Sequence, residues 1–104
     1  MNNDAEIERA RINAETAKIA WSELQRFFAG GHAISVSREL DLVDVAWHLS
    51  RDDVARLRVW TDLGQVAPVS DAEAADWIAT DALMWCVVVR PWILVQPVTE
   101  KHTH

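Results

Sequence analysis

MWCVVVRPWILVQP, residues 84–97, decides how this chain folds. The run carries one charge, Arg90, and two tryptophans, Trp85 and Trp92. A membrane-spanning helix needs about 20 apolar residues. The longest uncharged runs here, 82–89 and 91–99, are shorter and are split by Arg90. Val87, Val88, Val89, Ile93 and Val95 are β-branched, which favours strand. The run does not alternate apolar with polar, so both faces of the strand are expected to be covered. Proline lacks the amide that a ladder uses, so Arg90-Pro91 must be a bulge, an edge or a turn. A tight hairpin would put Pro91 at a disfavoured turn position unless its peptide bond were cis. The expectation is therefore two short strands, or one long strand bent at Arg90-Pro91.

The chain around this run has 104 residues, 50% of them hydrophobic and 25% charged. That balance is ordinary for a folded protein, and the length suits a single domain, 1–104. Six tryptophans are unusual in so short a chain. They supply large buried area to a small core, and the same residue is enriched at interfaces. The net charge of −6 opposes nonspecific binding to nucleic acid or to an anionic membrane surface. Cys86 is the only cysteine, so no internal disulfide is possible and a reducing compartment fits. The first residues, MNNDAEIERARINAET, lack the basic and apolar regions of a signal peptide. These readings together point to the cytoplasm.

Residues 4–29 read as N-terminal helices. A helix over 4–20 is suggested by Ile7, Ala10, Ala14 and Ala17, and Trp21, Leu24 and Phe28 continue the spacing. SELQ at 22–25 has the form of a capping box, so a fresh helix is expected to start at Ser22 and end at Gly30-Gly31. One kinked helix is the alternative. HAISVS, 32–37, predicts a short strand. DLVDVAWHLS, 41–50, predicts a helix with Leu42, Val45, Ala46 and Leu49 on one face. SRDD, from Ser50, reads as a second capping box that opens a helix through VARLRVWTDL to Gly64. QVAPV, 65–69, predicts a strand. SDAE, from Ser70, is a third capping box before a helix reaching about Thr80. The tail, 98–104, is expected to fray.

The order from residue 32 resembles that of a winged helix-turn-helix: strand, helix, tight turn, helix ending in glycine, strand. DLVDVAWHLSRDDVARLRVWTDLGQVAPVS carries this resemblance. The departure is a helix at 71–80 where a plain wing hairpin would lie. The implied fold is α+β: a winged-helix-like core over 32–97, an N-terminal helical extension, a helix inserted in the wing and a small β-sheet. Across most of its length the chain also resembles a small bacterial domain-of-unknown-function family, number 2288. AETAKIAWSELQRFFAGG, LDLVDVAWHLSRDD, DLGQVAPVSD and WCVVVRPWILVQP carry that similarity. It implies a single domain of unassigned activity and carries over no catalytic or binding residues.

Arg51, Arg56, Arg58 and Arg90 are the cations available for nucleic acid. Asp52 and Asp53 stand against that use, because they are expected in the first turn of the second helix, where they would repel phosphate and complement the helix dipole. His32 and His48 have no ligand spacing, His102 and His104 form a pair in the tail, and Cys86 has no cysteine partner. Cys86 is expected to be a buried, inert thiol, and neither metal nor cofactor is expected. No nucleophile motif or phosphate-binding glycine loop is present.

Interaction with another protein is the leading reading. Trp47 lies roughly 140° from Leu42 on a helical wheel. It is either covered by the N-terminal helix or exposed as an interface anchor. Trp92 follows the bend at Pro91 and is a second candidate anchor. Trp60 and Trp77 read as core or core-rim residues. The small-residue stripe of Ala10, Ala14 and Ala17 would allow close helix packing. The expected role is a noncatalytic interaction or regulatory module that binds a protein partner or a second copy of itself. A DNA-binding regulator is the second reading and an enzyme the third.

Overall fold

A computed structural model describes residues 4–98. The run that opens the sequence reading forms a hairpin of β4 (Leu83–Val89) and β5 (Trp92–Pro97), in register from Val89 opposite Trp92 to Met84 opposite Pro97. Its two-residue turn is Arg90-Pro91, with a cis peptide bond. The tight hairpin disfavoured for a trans proline is thus the one adopted. This hairpin sits inside a five-stranded sheet of order β1-β4-β5-β2-β3, completed by β1 (Ala17–Ala20), β2 (Ala33–Val36) and β3 (Val66–Pro68). β2 runs parallel to β5, and the other pairings are antiparallel.

Helices cover both faces of the sheet. On one face Met84, Cys86, Ile93 and Val95 pack with Trp21, Leu24 and Trp77. These come from a 3-10 turn (Trp21–Leu24), which leads into α2 (Gln25–Ala29), and from α5 (Asp71–Ala79). On the other face Val87 and Leu94 pack with Ile12, Val45, Ala46 and Trp60. These belong to α1 (Asp4–Glu15), α3 (Leu42–Ser50) and α4 (Val54–Asp62). Ile93, Leu94 and Val95 are buried in succession, as a strand covered on both faces requires. Each such side chain contributes roughly 1.5–3 kcal/mol of burial. β4 is covered less completely than expected: Trp85 is 36% exposed and Val88 54%. Val88 lies past the end of β1, which pairs only as far as Cys86.

The N-terminal segment corrects the reading of 4–20 as helix. α1 stops at Glu15, and 17–20 is a strand, so residues 4–29 are neither one kinked helix nor two abutting ones. The Thr16 hydroxyl donates to the Ile12 carbonyl at 2.8 Å and closes the last turn of α1. The next four residues then find their backbone partners on β4. Ile7, Ala10 and Ala14 face solvent instead of the core, with Ile7 63% exposed. α1 packs through Ile12. Ser22 caps nothing: the 3-10 turn follows Ala20, α2 follows Leu24, and neither has a side-chain cap.

The helix pair forms where expected, with a different joint. Asp41 caps α3 by accepting the Val43 amide. Ser50 is the last residue of α3, and its hydroxyl donates back to the Trp47 carbonyl at 2.7 Å. Asp53 caps α4 by accepting the Arg56 amide. Asp52 lies before the helix, at φ +57°, in the left-handed bend that joins the pair. The box at Ser70 is present: its hydroxyl accepts the Glu73 amide, and the Glu73 carboxylate accepts the Ser70 amide.

The α+β class and the small sheet are as expected, but the strands do not pair as a wing does. A wing joins the strand after the second helix to the next strand in a hairpin. Here β3 pairs with β2 at one edge of the sheet, and α5 carries the chain to β4, beyond β5.

Candidate functional site

The two tryptophans proposed as anchors occupy different surroundings. Trp47 is half-buried on α3 and joins the cluster beneath α1. The Arg9 guanidinium, from α1, lies 4.5 Å from its ring centre, and that of Arg51 lies 5.3 Å away. α1 therefore lies against this residue. Trp92, also half-buried, stands at the start of β5 with its ring edge-on to that of His32. It walls a hollow of about 200 Å³ together with Ile34, Leu49, Leu57, Thr61 and Leu94. α3 and α4 form one bank and β2, β3 and β5 the other. Thr61 brings the only hydroxyl to a lining that is otherwise hydrocarbon and indole.

A polar network lies on the same side of the sheet. His48 sits between the rings of Trp47 and Trp60, at centroid separations of 4.8 Å and 5.4 Å. Its Nδ1 is 2.9 Å from Asp53 Oδ2, and its Nε2 is 3.5 Å from Asp44 Oδ1. Asp44 also accepts Arg9 at 2.7 Å. The Arg56 backbone amide, and then His48, hold the Asp53 carboxyl below the usual carboxylate range. An ionised carboxylate only accepts, so the proton of this pair sits on His48 Nδ1. One imidazole therefore ties α4 to α3, and through Asp44 and Arg9 to α1. No serine, threonine or cysteine side chain hydrogen-bonds to His48 among the described residues. The network can orient an imidazole and hold three helices in place; it presents no nucleophile.

The four arginines proposed for nucleic acid have different neighbours. Arg51 lies on Trp47 and Arg56 over Trp60, at 5.9 Å. Arg58 is exposed on α4, and Arg90 stands at the tip of the β4–β5 hairpin. Cys86 is buried, and desolvation pushes its thiol pKa up, against use as a nucleophile. Among the described residues no group of three or more His, Cys, Asp or Glu could hold a metal ion. His102 and His104 lie outside the described residues. No helix among them is long and apolar enough to cross a membrane.

Sequence reasoning missed the partners that make the Trp92 hollow, because Ile34, Leu49 and Leu57 come from three elements. It also missed the His48–Asp53 pair, which spans the joint between α3 and α4. One usable signal was present: α4 has apolar residues on two faces. Leu57 and Trp60 turn inward, whereas Val54 and Val59 are exposed.

Comparison with known proteins agrees with this architecture. The model of a family described as a protein of unknown function, DUF2288, matches residues 7–97. The NMR solution structure of PA1075 from Pseudomonas aeruginosa is similar, with a TM-score of 0.80 and 38% identity, covering 100% of this chain and 96% of that one. Among functionally curated proteins, none matches the sequence.

Proposed function

The chain belongs to the DUF2288 family, whose description assigns no activity, and from that premise we propose that it is a noncatalytic protein-interaction module. One observation carries this reading: the open apolar hollow walled by Trp92. Pockets for free small molecules span about 300–1,000 Å³ and pair an apolar lining with several convergent polar groups. This hollow is smaller, and its lining offers one hydroxyl. It suits a single large apolar side chain presented by another protein. A half-buried tryptophan beside such a hollow is the residue type that dominates interface energetics. The other protein is either an unlike partner or a second copy of this chain, and light scattering separates the two.

The test places a photoactivatable phenylalanine analogue at position 61, on the rim of the hollow, in the source cell. The same analogue at position 72, exposed on α5, serves as control. The expected result is an adduct specific to position 61. Trp92→Ala should abolish it while circular dichroism stays unchanged, since truncating an anchor costs about 2 kcal/mol or more of binding. No adduct at 61, or the same adducts at 61 and 72, would count against the reading.

A further inference from the structure

The sheet has an open edge whose hydrogen-bonding direction can be read from its neighbours. Ile93 donates its amide to the His32 carbonyl, towards β2, at 2.9 Å. It therefore does not point at Val88, its partner in register on β4. At the other end of the hairpin the Val98 amide donates to the Leu83 carbonyl at 3.0 Å. In an antiparallel pair, residues that bond to the partner alternate with residues that turn away. Leu83, Trp85, Val87 and Val89 thus bond to β5, whereas Met84, Cys86 and Val88 turn their amides and carbonyls towards β1. The Trp21 amide, donating to the Ala82 carbonyl, obeys the same parity. But β1 ends at Ala17, opposite Cys86. The amide and carbonyl of Val88 point past the end of β1 to a place that no strand fills.

Two hollows flank that place, one on each face of the sheet, and Val88 and Glu15 line both. The first, about 270 Å³, is apolar at its base, with Ile19, Leu24, Phe27 and Ile93, and has Glu23 at its rim. The second, about 480 Å³, is bounded by Arg11, Val89 and Arg90. The charges there are unequally met. Arg11 is held by Glu8 at 3.0 Å and by Glu15 at 3.1 Å. Arg90 is exposed and makes no ion pair or side-chain hydrogen bond among the described residues. An unpaired edge amide and carbonyl with pockets alternating on either side is the arrangement that strand addition uses. The main chain supplies the bonding, and alternate side chains supply the selectivity.

We propose that the edge of β4 at Val88 receives an extended segment of a partner protein, antiparallel to β4, in which an acidic residue precedes an apolar one. The apolar residue lies opposite Val88 and exchanges both backbone hydrogen bonds with it. Directly opposite residues share a face, so its side chain enters the hollow of Ile19, Leu24 and Phe27. The preceding residue lies opposite Val89, on the other face, and its carboxylate meets Arg90. Glu23 disfavours an acid on the apolar side, so the order of the two residues is fixed. This site is separate from the Trp92 hollow, and neither depends on the other.

The probe is a short capped peptide in which isoleucine follows aspartate, titrated into the full-length, isotopically labelled protein and followed by amide NMR. Shifts are expected at residues 87–89, 19 and 24. Arg90→Glu should weaken binding about tenfold, equivalent to 1.4 kcal/mol, and should favour a peptide with lysine in place of aspartate. Methylating the isoleucine amide of the peptide should abolish binding, since this removes the hydrogen bond to the Val88 carbonyl without touching the protein. The proposal is overturned if the methylated peptide binds equally well, if the shifts fall elsewhere, or if millimolar peptide produces none. Shifts at 87–89 that depend on protein concentration with no peptide present would assign the edge to a second copy and overturn the partner assignment.

Discussion

A carboxylate that accepts a helix's free amide through one oxygen and an imidazole through the other has two reasons to stay ionised. Asp53 is in that position, with the Arg56 amide at 3.2 Å and His48 Nδ1 at 2.9 Å. Its pKa is lowered from the ordinary 3.8, chiefly by the amide and next by His48. A group with a depressed folded pKa stabilises the fold fully above its unfolded value, and that contribution is lost as pH falls through the folded value. Asparagine is an equally good helix cap but carries no charge. Asp53→Asn should therefore unfold at lower urea than the parent at neutral pH, and the gap should close on acidification below pH 3.8. Parallel urea melts across that range check this; a gap that persists in acid would show that charge is not what Asp53 contributes.

The caps also show what a local motif can and cannot reveal. Ser50, Ser22 and Ser70 each stand three residues before an acid or a glutamine, and the sequence treats them alike. Only Ser70 caps a helix, and its Glu73 reaches on to the Ser35 hydroxyl of β2 at 3.0 Å, which stitches α5 to the sheet. Ser70→Ala should cost about 1 kcal/mol in chemical denaturation. Ser50→Ala should fall within about 0.5 kcal/mol of the parent, as surface changes away from a cap do. Equal losses would contradict the assignment of the α4 cap to Asp53.

At the scale of elements, the parts that pattern reveals are those whose neighbours are local. α3 shows in its i, i+3, i+4 spacing because one sheet face lies under it. The β4–β5 run shows in its unbroken β-branched stretch because helices cover both sides of β5. β1 was illegible for the opposite reason. Alanine, lysine and isoleucine at 17–20 carry little intrinsic preference for strand as a set, and their backbone partners lie on 83–86, far along the chain. The same long-range pairing leaves Val88 uncovered, a fact visible only once the register is known. Native-state hydrogen exchange gives the expected outcome: the Val88 amide exchanges much faster than those of Val87 and Val89, which bond to β5. Equal protection across 87–89 would mean that the Val88 amide is already bonded within the fold, and protection at 88 above that of its neighbours would mean that the ladder parity runs the other way.

At the scale of the whole molecule, the order of elements suggested a winged helix, and strand pairing separates the chain from that plan. Pairing depends on contacts that no local window contains, so the helix pair was legible and the sheet around it was not. The charge of the molecule bears on the DNA-binding reading in the same global way. Six excess acids surround the chain with a field that repels phosphate. Two of the cations that would have to overcome it, Arg51 and Arg56, lie on tryptophan rings, and Arg90 is at the hairpin tip. At the start of α4, where a reader helix would approach base edges, stands the ionised Asp53. Nonspecific affinity for duplex DNA grows as salt is lowered, so low salt is the condition most favourable to any binding. Micromolar protein mixed with duplex DNA at low salt should cause no retardation on a gel. A retarded band that fades as salt is raised would reinstate the arginines as a phosphate-binding surface.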